Sequence, residues 1–214
     1  MELTITKKFS STAERSPRVL EVAEAFGLGL AEKEFVIYDD LKLEIRQGDV
    51  VYVTGQSGSG KSIILREIEQ EMVKHGAKVA NIDMVPMESR ALIDQVGTDM
   101  ADAIRLLSLA GLNDAYLFIR KPEELSDGQK YRFRLAKLIE SGSTVWVADE
   151  FTATLDRITA AVVAFNLQKI ARKVGATVIV ATTHMDLRES LQPSLYIEKY
   201  YRDRLHVERP VEQK

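Results

Sequence analysis

The chain has 214 residues and a formal net charge of −3, with 29% charged and 45% hydrophobic residues. This composition is typical of a globular protein and argues against a surface that coats nucleic acid along its whole length. The absence of cysteine excludes disulfides, thiolate metal sites and cysteine nucleophiles, and it fits a reducing cytoplasm. Neither a signal peptide nor an apolar run of about 18–20 residues is found, so we expect a cytoplasmic protein without direct membrane insertion.

Strands and helices are predicted to alternate along most of the chain. In the first half of the chain we predict a helix at 19–26, strands at 35–38, 41–45 and 49–54, a helix at 62–74 and a strand at 78–82. We then predict mainly helical structure at 89–118 with breaks near Gly97 and Gly111, a helix at 128–139, a strand at 144–148, a helix at 156–174, a strand at 177–181 and one or two edge strands after 194. On the last long helix, the apolar residues Ile158, Val162 and Phe165 share one face. This alternation predicts right-handed crossovers and a mainly parallel sheet.

Residues 55–62 read Gly-Gln-Ser-Gly-Ser-Gly-Lys-Ser and match the phosphate-binding pattern G-x-x-x-x-G-K-[ST] at every fixed position. They lie between a predicted strand and a predicted helix. Phosphate binding requires this order, because glycines let bare amides surround a polyphosphate while the helix N-terminus supplies a positive field. We expect Lys61 to reach the β- and γ-phosphates and the Ser62 hydroxyl to bind Mg²⁺.

Asp149 and Glu150 directly follow the predicted strand at 144–148. In this place the first carboxylate can hold Mg²⁺ and the second can orient or deprotonate an attacking water. Two solvated acids that open a turn are the alternative. His184 follows the strand at 177–181, where it can contact a γ-phosphate, although a lone histidine is more often an ordinary polar residue.

Two further segments are helix starts when read alone. Residues 125–129 read Leu-Ser-Asp-Gly-Gln, with Ser126 as a plausible N-cap and free amides behind it. Asp156 is placed to cap the next helix.

The order of these motifs resembles that of the ABC (ATP-binding cassette) ATPase family. The resemblance implies an α/β fold of the P-loop NTPase type: an ABC-type nucleotide-binding domain with a mainly parallel central sheet, an N-terminal antiparallel β subregion and a shortened helical subdomain. It implies one domain over residues 1–214. The subregions would be 1–48 for the β part, 49–84 and 141–214 for the core, and 85–140 for the helical part with the signature motif.

The resemblance also implies Mg²⁺-dependent hydrolysis of ATP. Catalytic roles would fall to Glu150 as the base, His184 as the switch histidine, Lys61, and Gln95 as the Q-loop glutamine. The metal would contact Ser62, Asp149 and Gln95. The implied nucleotide-binding residues are Gly55, Gln56, Ser57, Gly58, Ser59, Gly60, Lys61, Ser62, Ile63, Ser126, Gly128, Gln129 and Asp156.

Family members act as head-to-tail dimers that hold ATP between one subunit's phosphate loop and the other's signature motif, so the resemblance implies an ATP-dependent homodimer. Two features depart from the family pattern. Asp127 replaces the first glycine of Leu-Ser-Gly-Gly-Gln, and Gln95 lies in an unusual local sequence. The aromatic residue that stacks on adenine stays open among Phe26, Phe35 and Tyr38.

Leu125 follows Lys61 by only 64 positions, which is short for a transporter ATPase of this family. We therefore expect a soluble ATPase that passes motion to another macromolecule. Residues 26–29, 51–55 and 124–136 resemble a prokaryotic group associated with GNAT-type acetyltransferases, which makes such an enzyme a candidate partner.

Three alternatives stay open: the ATP-binding subunit of a transporter, an ATP sensor with little turnover, and a nucleic-acid-associated ATPase. The last depends on two basic clusters, for which a solvated helix face and a charged edge strand are the simpler interpretation. The residues concerned are Lys130, Arg132, Arg134, Tyr200, Tyr201, Arg202 and Arg204.

Overall fold

The computed structural model describes residues 1–200 and 205–210, without the side chains of Ser11, Lys33 and Phe35. The strands are β1 (Glu2–Ser11), β2 (Lys33–Glu44), β3 (Val50–Gly55), β4 (Val79–Asn81), β5 (Val145–Ala148), β6 (Thr177–Thr182), β7 (Leu195–Lys199) and β8 (Leu205–Glu208). The helices are α1 (Pro17–Ala25), α2 (Lys61–Lys74), α3 (Met100–Leu109), α4 (Ala115–Phe118), α5 (Asp127–Ser141), α6 (Arg157–Val174) and α7 (Arg188–Leu191). Short 3-10 helices cover Ile82–Met84, Leu92–Asp94 and Pro122–Glu124. Among these described helices, none is long and apolar enough to cross a bilayer.

A six-stranded sheet in the order β4-β5-β6-β3-β7-β8 forms the centre of the molecule. Every neighbouring pair in it is parallel except the antiparallel pair β7 and β8. β1 and β2 form a separate antiparallel sheet. The prediction of a mainly parallel sheet with an N-terminal antiparallel part is confirmed. The carboxyl ends of β3 to β6 consequently meet at one edge, where the candidate site residues follow the strands.

Two hydrophobic clusters cover the opposite faces of the central sheet. Along β3, Val50 and Tyr52 belong to one cluster and Val51 and Val53 to the other, because successive side chains of a strand point to opposite faces. The first cluster includes side chains of α3, α5 and α6, and the second includes those of α2, β1 and β2. The N-terminal sheet therefore shares a core with the central sheet.

The segment between α2 and α5 is less helical than the sequence indicates. Only α3 and α4 are α-helices there, and each begins at an aspartate N-cap, Asp99 and Asp114. Gly97 has a φ of +80°, and a Cβ on it would lie 2.4 Å from the backbone nitrogen of Ala103. A regular helix is excluded at this point because the chain must turn back on itself. β2 is one continuous strand where the sequence predicts two, and β1 lies where no individual strand is predicted.

The apolar face predicted for α6 is on the surface. Ile158, Val162 and Phe165 are 79%, 43% and 45% exposed. The buried face of α6 instead carries Leu167 among several smaller side chains, including Ala160, Val163, Ala164 and Ala171. Small side chains let a helix approach a sheet closely, so the helix packs on its alanine-rich face and not on its bulkiest one.

We expect Leu167→Ala to lower the free energy of unfolding by about 2–5 kcal/mol, because it leaves a cavity beneath α6. Ile158→Ala is the matched control on the same helix and is expected to stay within about 0.5 kcal/mol of the wild type, since that side chain is largely in solvent. Urea unfolding measures both values. Equal losses in the two variants would mean that α6 packs in a different orientation.

Candidate nucleotide-binding site

The phosphate loop joins β3 to α2 and contains several donors without a partner. Within the described part of the chain, the amides of Gly58, Gly60, Lys61 and Ser62 donate to no protein acceptor. The Ser59 hydroxyl is buried and likewise has no partner. Free amides at a helix N-terminus commonly bind phosphate groups, so the residues present fit a polyphosphate ligand.

The Lys61 ammonium lies over this loop. Its Nζ donates to the carbonyl oxygens of Gly55 at 2.9 Å and of Gln56 at 2.8 Å. Burial lowers the pKa of Lys61, and the negative charges of Asp149 and Glu150 partly offset this effect. The positive charge of Lys61 therefore lies near both acids. Its present acceptors are two backbone carbonyl oxygens, which phosphate oxygens can replace.

Both acids are held by a strained turn after β5. Asp149 is half-buried and Glu150 is exposed. Glu150 has a φ of +49° and Thr152 a φ of +58°, and left-handed backbone in such residues costs about 1–3 kcal/mol each. The Phe151 amide donates to the Ala181 carbonyl of β6 at 2.8 Å. This turn holds the acids at the sheet edge.

A cavity of about 510 Å³ opens beside these acids. Asp149 and Glu150 line it together with Asp127 and Lys130 from the start of α5. The Asp127 carboxylate lies 3.4 Å from the Lys130 Nζ and is largely exposed. The unusual carboxylate of the signature motif thus has its own cation on the same helix turn, which reduces the repulsion expected between it and a triphosphate.

Further lining residues were not predicted from the sequence. They are Asn81, Asp83, Tyr131 and Arg134, together with residues 152–155. The sequence did indicate Asp83 in one respect: it directly follows the predicted strand at 78–82, as Asp149 follows the strand at 144–148.

Ser126 and Gln129 cap α5 reciprocally. The Ser126 Oγ accepts from the Gln129 amide at 3.3 Å, and the Gln129 Oε1 accepts from the Ser126 amide at 2.9 Å. A Cβ on Gly128 would lie 3.4 Å from the Thr159 Cγ2, so α5 begins in close contact with α6. The structure defines these residues as a helix cap, and their contact with a second subunit's nucleotide stays a prediction.

His184 follows β6 at the same edge of the sheet. Its amide donates to the Thr182 Oγ1 at 3.2 Å, and the Tyr52 hydroxyl donates to its carbonyl oxygen. Its Nδ1 lies 3.9 Å from the Asp186 Oδ1, and Asp186 also pairs with Arg157. These contacts hold the histidine backbone, while the ring stays partly exposed.

Asp156 caps α6 and accepts from the amides of Ile158 and Thr159, both at 3.0 Å. The Thr159 hydroxyl, which also donates to it, contributes most to lowering the pKa of Asp156. The nucleotide-binding role predicted for Asp156 across a dimer stays a prediction.

Gln95 is not brought to the acids. Its buried amide is engaged with its own loop: the Oε1 accepts from the Glu88 amide at 2.9 Å, while the Nε2 donates to the carbonyls of Glu88 and Arg90 at 2.8 and 2.7 Å. It does not line the cavity beside Asp149. The predicted metal and catalytic roles of Gln95 thus have no support in this arrangement.

The aromatic residues left open for adenine stacking differ in position. Tyr38 is buried, and its hydroxyl donates to the Gly60 carbonyl at 3.1 Å. Phe26 is 76% exposed just after α1. The side chain of Phe35 lies outside the described residues. Tyr38 therefore supports the phosphate loop from behind and offers no free face.

The basic residues of α5 do not form one patch. Lys130 and Arg134 line the cavity beside Asp149, whereas Arg132 lines a second cavity of about 550 Å³ between α3, α5 and α6. Of the tail cluster, Tyr201, Arg202 and Arg204 lie outside the described residues. The described geometry thus does not favour a continuous nucleic-acid surface.

A glycine loop with free amides between a buried strand and a helix, with acids following another strand of the same sheet, defines a P-loop nucleotide-binding protein. The sequence model of the ABC transporter family matches residues 38–153, more than half of the chain. The chain belongs to this family, and ATP hydrolysis is general to it.

Curated relatives with similar sequences are ATP-binding proteins of transport systems. The methionine import ATP-binding protein MetN 1 of Lactiplantibacillus plantarum is 27% identical over 188 residues, which cover 71% of this chain and 52% of the relative. The cytochrome c biogenesis ATP-binding export protein CcmA of Gluconobacter oxydans is 28% identical over 187 residues, which cover 78% and 85%. The chain thus spans about half the length of the methionine-import relatives it matches.

Solved ATP-binding cassettes share the fold. The dimeric MJ0796 cassette in a post-hydrolysis state with ADP and phosphate has a TM-score of 0.61 at 19% identity and covers 99% of this chain and 100% of its own. The MJ1267 cassette of an ABC transporter has a TM-score of 0.64 at 16% identity, with 82% and 86% covered.

Proposed function

We propose that this chain binds ATP with Mg²⁺, hydrolyses it, and couples the reaction to the opening and closing of a head-to-tail dimer. The observation that carries the proposal is the phosphate loop, with its unpartnered amides and the buried Lys61 beside Asp149 and Glu150. Donors without partners are unfavourable in an empty site, and their retention is explained by a triphosphate ligand.

The residues divide the chemistry between them. Lys61 would neutralise the β- and γ-phosphates, Glu150 would orient or deprotonate the attacking water, and His184 would contact the γ-phosphate. Ser62 and Asp149 would hold Mg²⁺, which supplies charge neutralisation when bound. Among the described residues no group of three or more acidic or histidine side chains is placed to hold a metal. One or two protein ligands are usual for Mg²⁺ bound through substrate phosphates.

The head-to-tail dimer is proposed because the start of α5 and the phosphate loop of the same chain do not line a common cavity. The start of α5 shares a cavity with Glu150, but no residue of the phosphate loop lines that cavity. We infer that Ser126 and Gly128, at the same helix start, meet a phosphate loop supplied by a second copy. The dimeric state of a cassette with the same fold supports this arrangement.

We further propose that the partner is the membrane-embedded part of a transporter. The methionine-import and cytochrome c biogenesis relatives favour this function over the stand-alone ATPase expected from the sequence. A soluble ATPase acting on another macromolecule is the second candidate, because the segment between α2 and α5 holds only two short α-helices, α3 and α4. An acetyltransferase partner gains no support from these relatives.

Gly128→Asp tests the dimer. The new side chain would begin beside Thr159 of α6 and add a carboxylate at the surface proposed to meet the partner's triphosphate. We therefore expect Mg-ATP turnover to fall at least about tenfold, since like charges repel strongly in a desolvated interface. Light scattering should show no ATP-dependent increase in mass. A fluorescent ATP analogue should still bind, because the phosphate loop is unchanged. Gly142→Asp, after α5, is the control for an added charge: its φ of +63° makes a small loss of stability expected, but turnover and ATP-dependent dimer formation should match the wild type. Normal turnover in Gly128→Asp would contradict the head-to-tail arrangement.

A further inference from the structure

Asp83 and Asp149 follow two neighbouring strands, each just beyond the strand's carboxyl end. β4 is parallel to β5, and Asn81 is paired with Val147. Asp83 lies two residues beyond Asn81, and Asp149 lies two residues beyond Val147. Because the carboxyl ends of parallel strands meet at one edge, the pairing brings the two carboxylates together, and both line the 510 Å³ cavity.

Two residues that line the cavity have buried polar atoms without a hydrogen-bond partner. The Tyr131 side chain is 94% buried, since only 6% of it is exposed, and its hydroxyl has no hydrogen-bond partner. The Arg134 Nε is also buried without a partner. The Arg134 Nη1 lies 3.7 Å from the Asp83 Oδ1, which is beyond hydrogen-bond distance. Asp83 is therefore near a cation but not fixed by it.

We propose that Asp83 is a positioning residue of the active centre, which holds the metal-bound or attacking water beside Asp149 and Glu150. It takes the place that the sequence assigned to Gln95, whose amide is engaged with Glu88 and Arg90. This inference rests on the proposed ATPase function and names a residue beyond the assigned set.

The chemistry of Asp83 suits this role. A carboxylate accepts hydrogen bonds from water that is bound to a hard cation, and groups that orient such ligands commonly change metal affinity 10–100-fold, as an order of magnitude. Arg134 belongs to α5, the helix that begins at the signature motif. Asp83 thus lies between the water site of one nucleotide and the helix that meets the partner's nucleotide.

The test measures Mn²⁺ binding by electron paramagnetic resonance, with a non-hydrolysable ATP analogue bound. We expect Asp83→Ala to weaken Mn²⁺ binding by about 10–100-fold. Asp83→Asn should lose less affinity for Mn²⁺, because its amide oxygen still accepts from water. Asparagine also has nearly the volume of aspartate, so the variant should fold. Analogue binding in EDTA should be unchanged in both variants.

Asp94→Asn, at an exposed aspartate outside the cavity, is the control and should keep the wild-type affinity. Unchanged Mn²⁺ affinity in a folded Asp83→Ala variant would overturn the inference, as would a loss seen only in Gln95→Ala. Asp149→Asn distinguishes a failure of the role proposed for Asp83 from a failure of the proposed metal-dependent function. If it loses Mn²⁺ while Asp83→Ala does not, only the role of Asp83 fails. If neither loses it, the proposed metal-dependent function fails as well.

Discussion

Glu150→Gln is expected to reduce ATP turnover by about 10²–10⁴-fold, the range usually lost with a general base. The amide cannot accept a proton from the attacking water, yet it has the size and shape of the carboxyl group. The left-handed backbone at residue 150 stays the same, so the turn after β5 should be preserved. Steady-state phosphate release measures the loss.

ATP binding should survive this change, because the phosphate loop and Lys61 are untouched. We expect the variant to accumulate as an ATP-bound dimer in light scattering with Mg²⁺ present. Glu21→Gln, at an exposed glutamate of α1, is the control and should hydrolyse ATP normally. Full turnover in Glu150→Gln would remove this residue from the mechanism.

Gly55→Ala is expected to lower the free energy of unfolding by about 2–4 kcal/mol, because it combines backbone strain with overpacking. Gly55 has a φ of +146°, and an added Cβ would lie 2.1 Å from the Lys199 carbonyl oxygen and 3.0 Å from the Ser59 Oγ. The nearest obstacle is backbone of the neighbouring strand β7, which cannot rotate away. Urea unfolding and binding of a fluorescent ATP analogue should both show the damage.

Comparison with Gly76→Ala separates the cost of backbone strain from the cost of steric overlap in Gly55→Ala. Gly76 has a φ of +82°, but an added Cβ there meets no atom within 4 Å. We expect a loss of only about 1–2 kcal/mol, the usual cost of left-handed backbone in a residue with a Cβ. A Gly55→Ala variant as stable as Gly76→Ala, with normal ATP binding, would show that the end of β3 moves freely away from β7.

The sequence was sufficient where a local pattern defines the chemistry. The phosphate loop, the acids after β5 and the cap at Ser126 each depend on neighbouring residues. In the structure the loop joins β3 to α2, the acids follow β5 and Ser126 caps α5, as the sequence predicts, while their roles stay predictions. The sequence could not decide which residue lies beside Asp149, because that depends on strand order. Gln95 has the expected residue type, but β4 is the strand that pairs with β5, and Asp83 follows it. Periodicity also could not tell which stripe of α6 faces the sheet. Ile158 and Leu167 lie on different stripes, and the alanines around Leu167 decided the packing.

The hydrogen bond from the Phe151 amide to the Ala181 carbonyl joins the loop after β5 to β6. Glu150 is covalently next to the donor, and His184 is three residues beyond the acceptor. The backbone segments that carry these two residues are therefore joined as the chain folds. In the proposed mechanism, the binding of ATP would then not have to supply the entropy of bringing the two segments together, which would lower the barrier to hydrolysis.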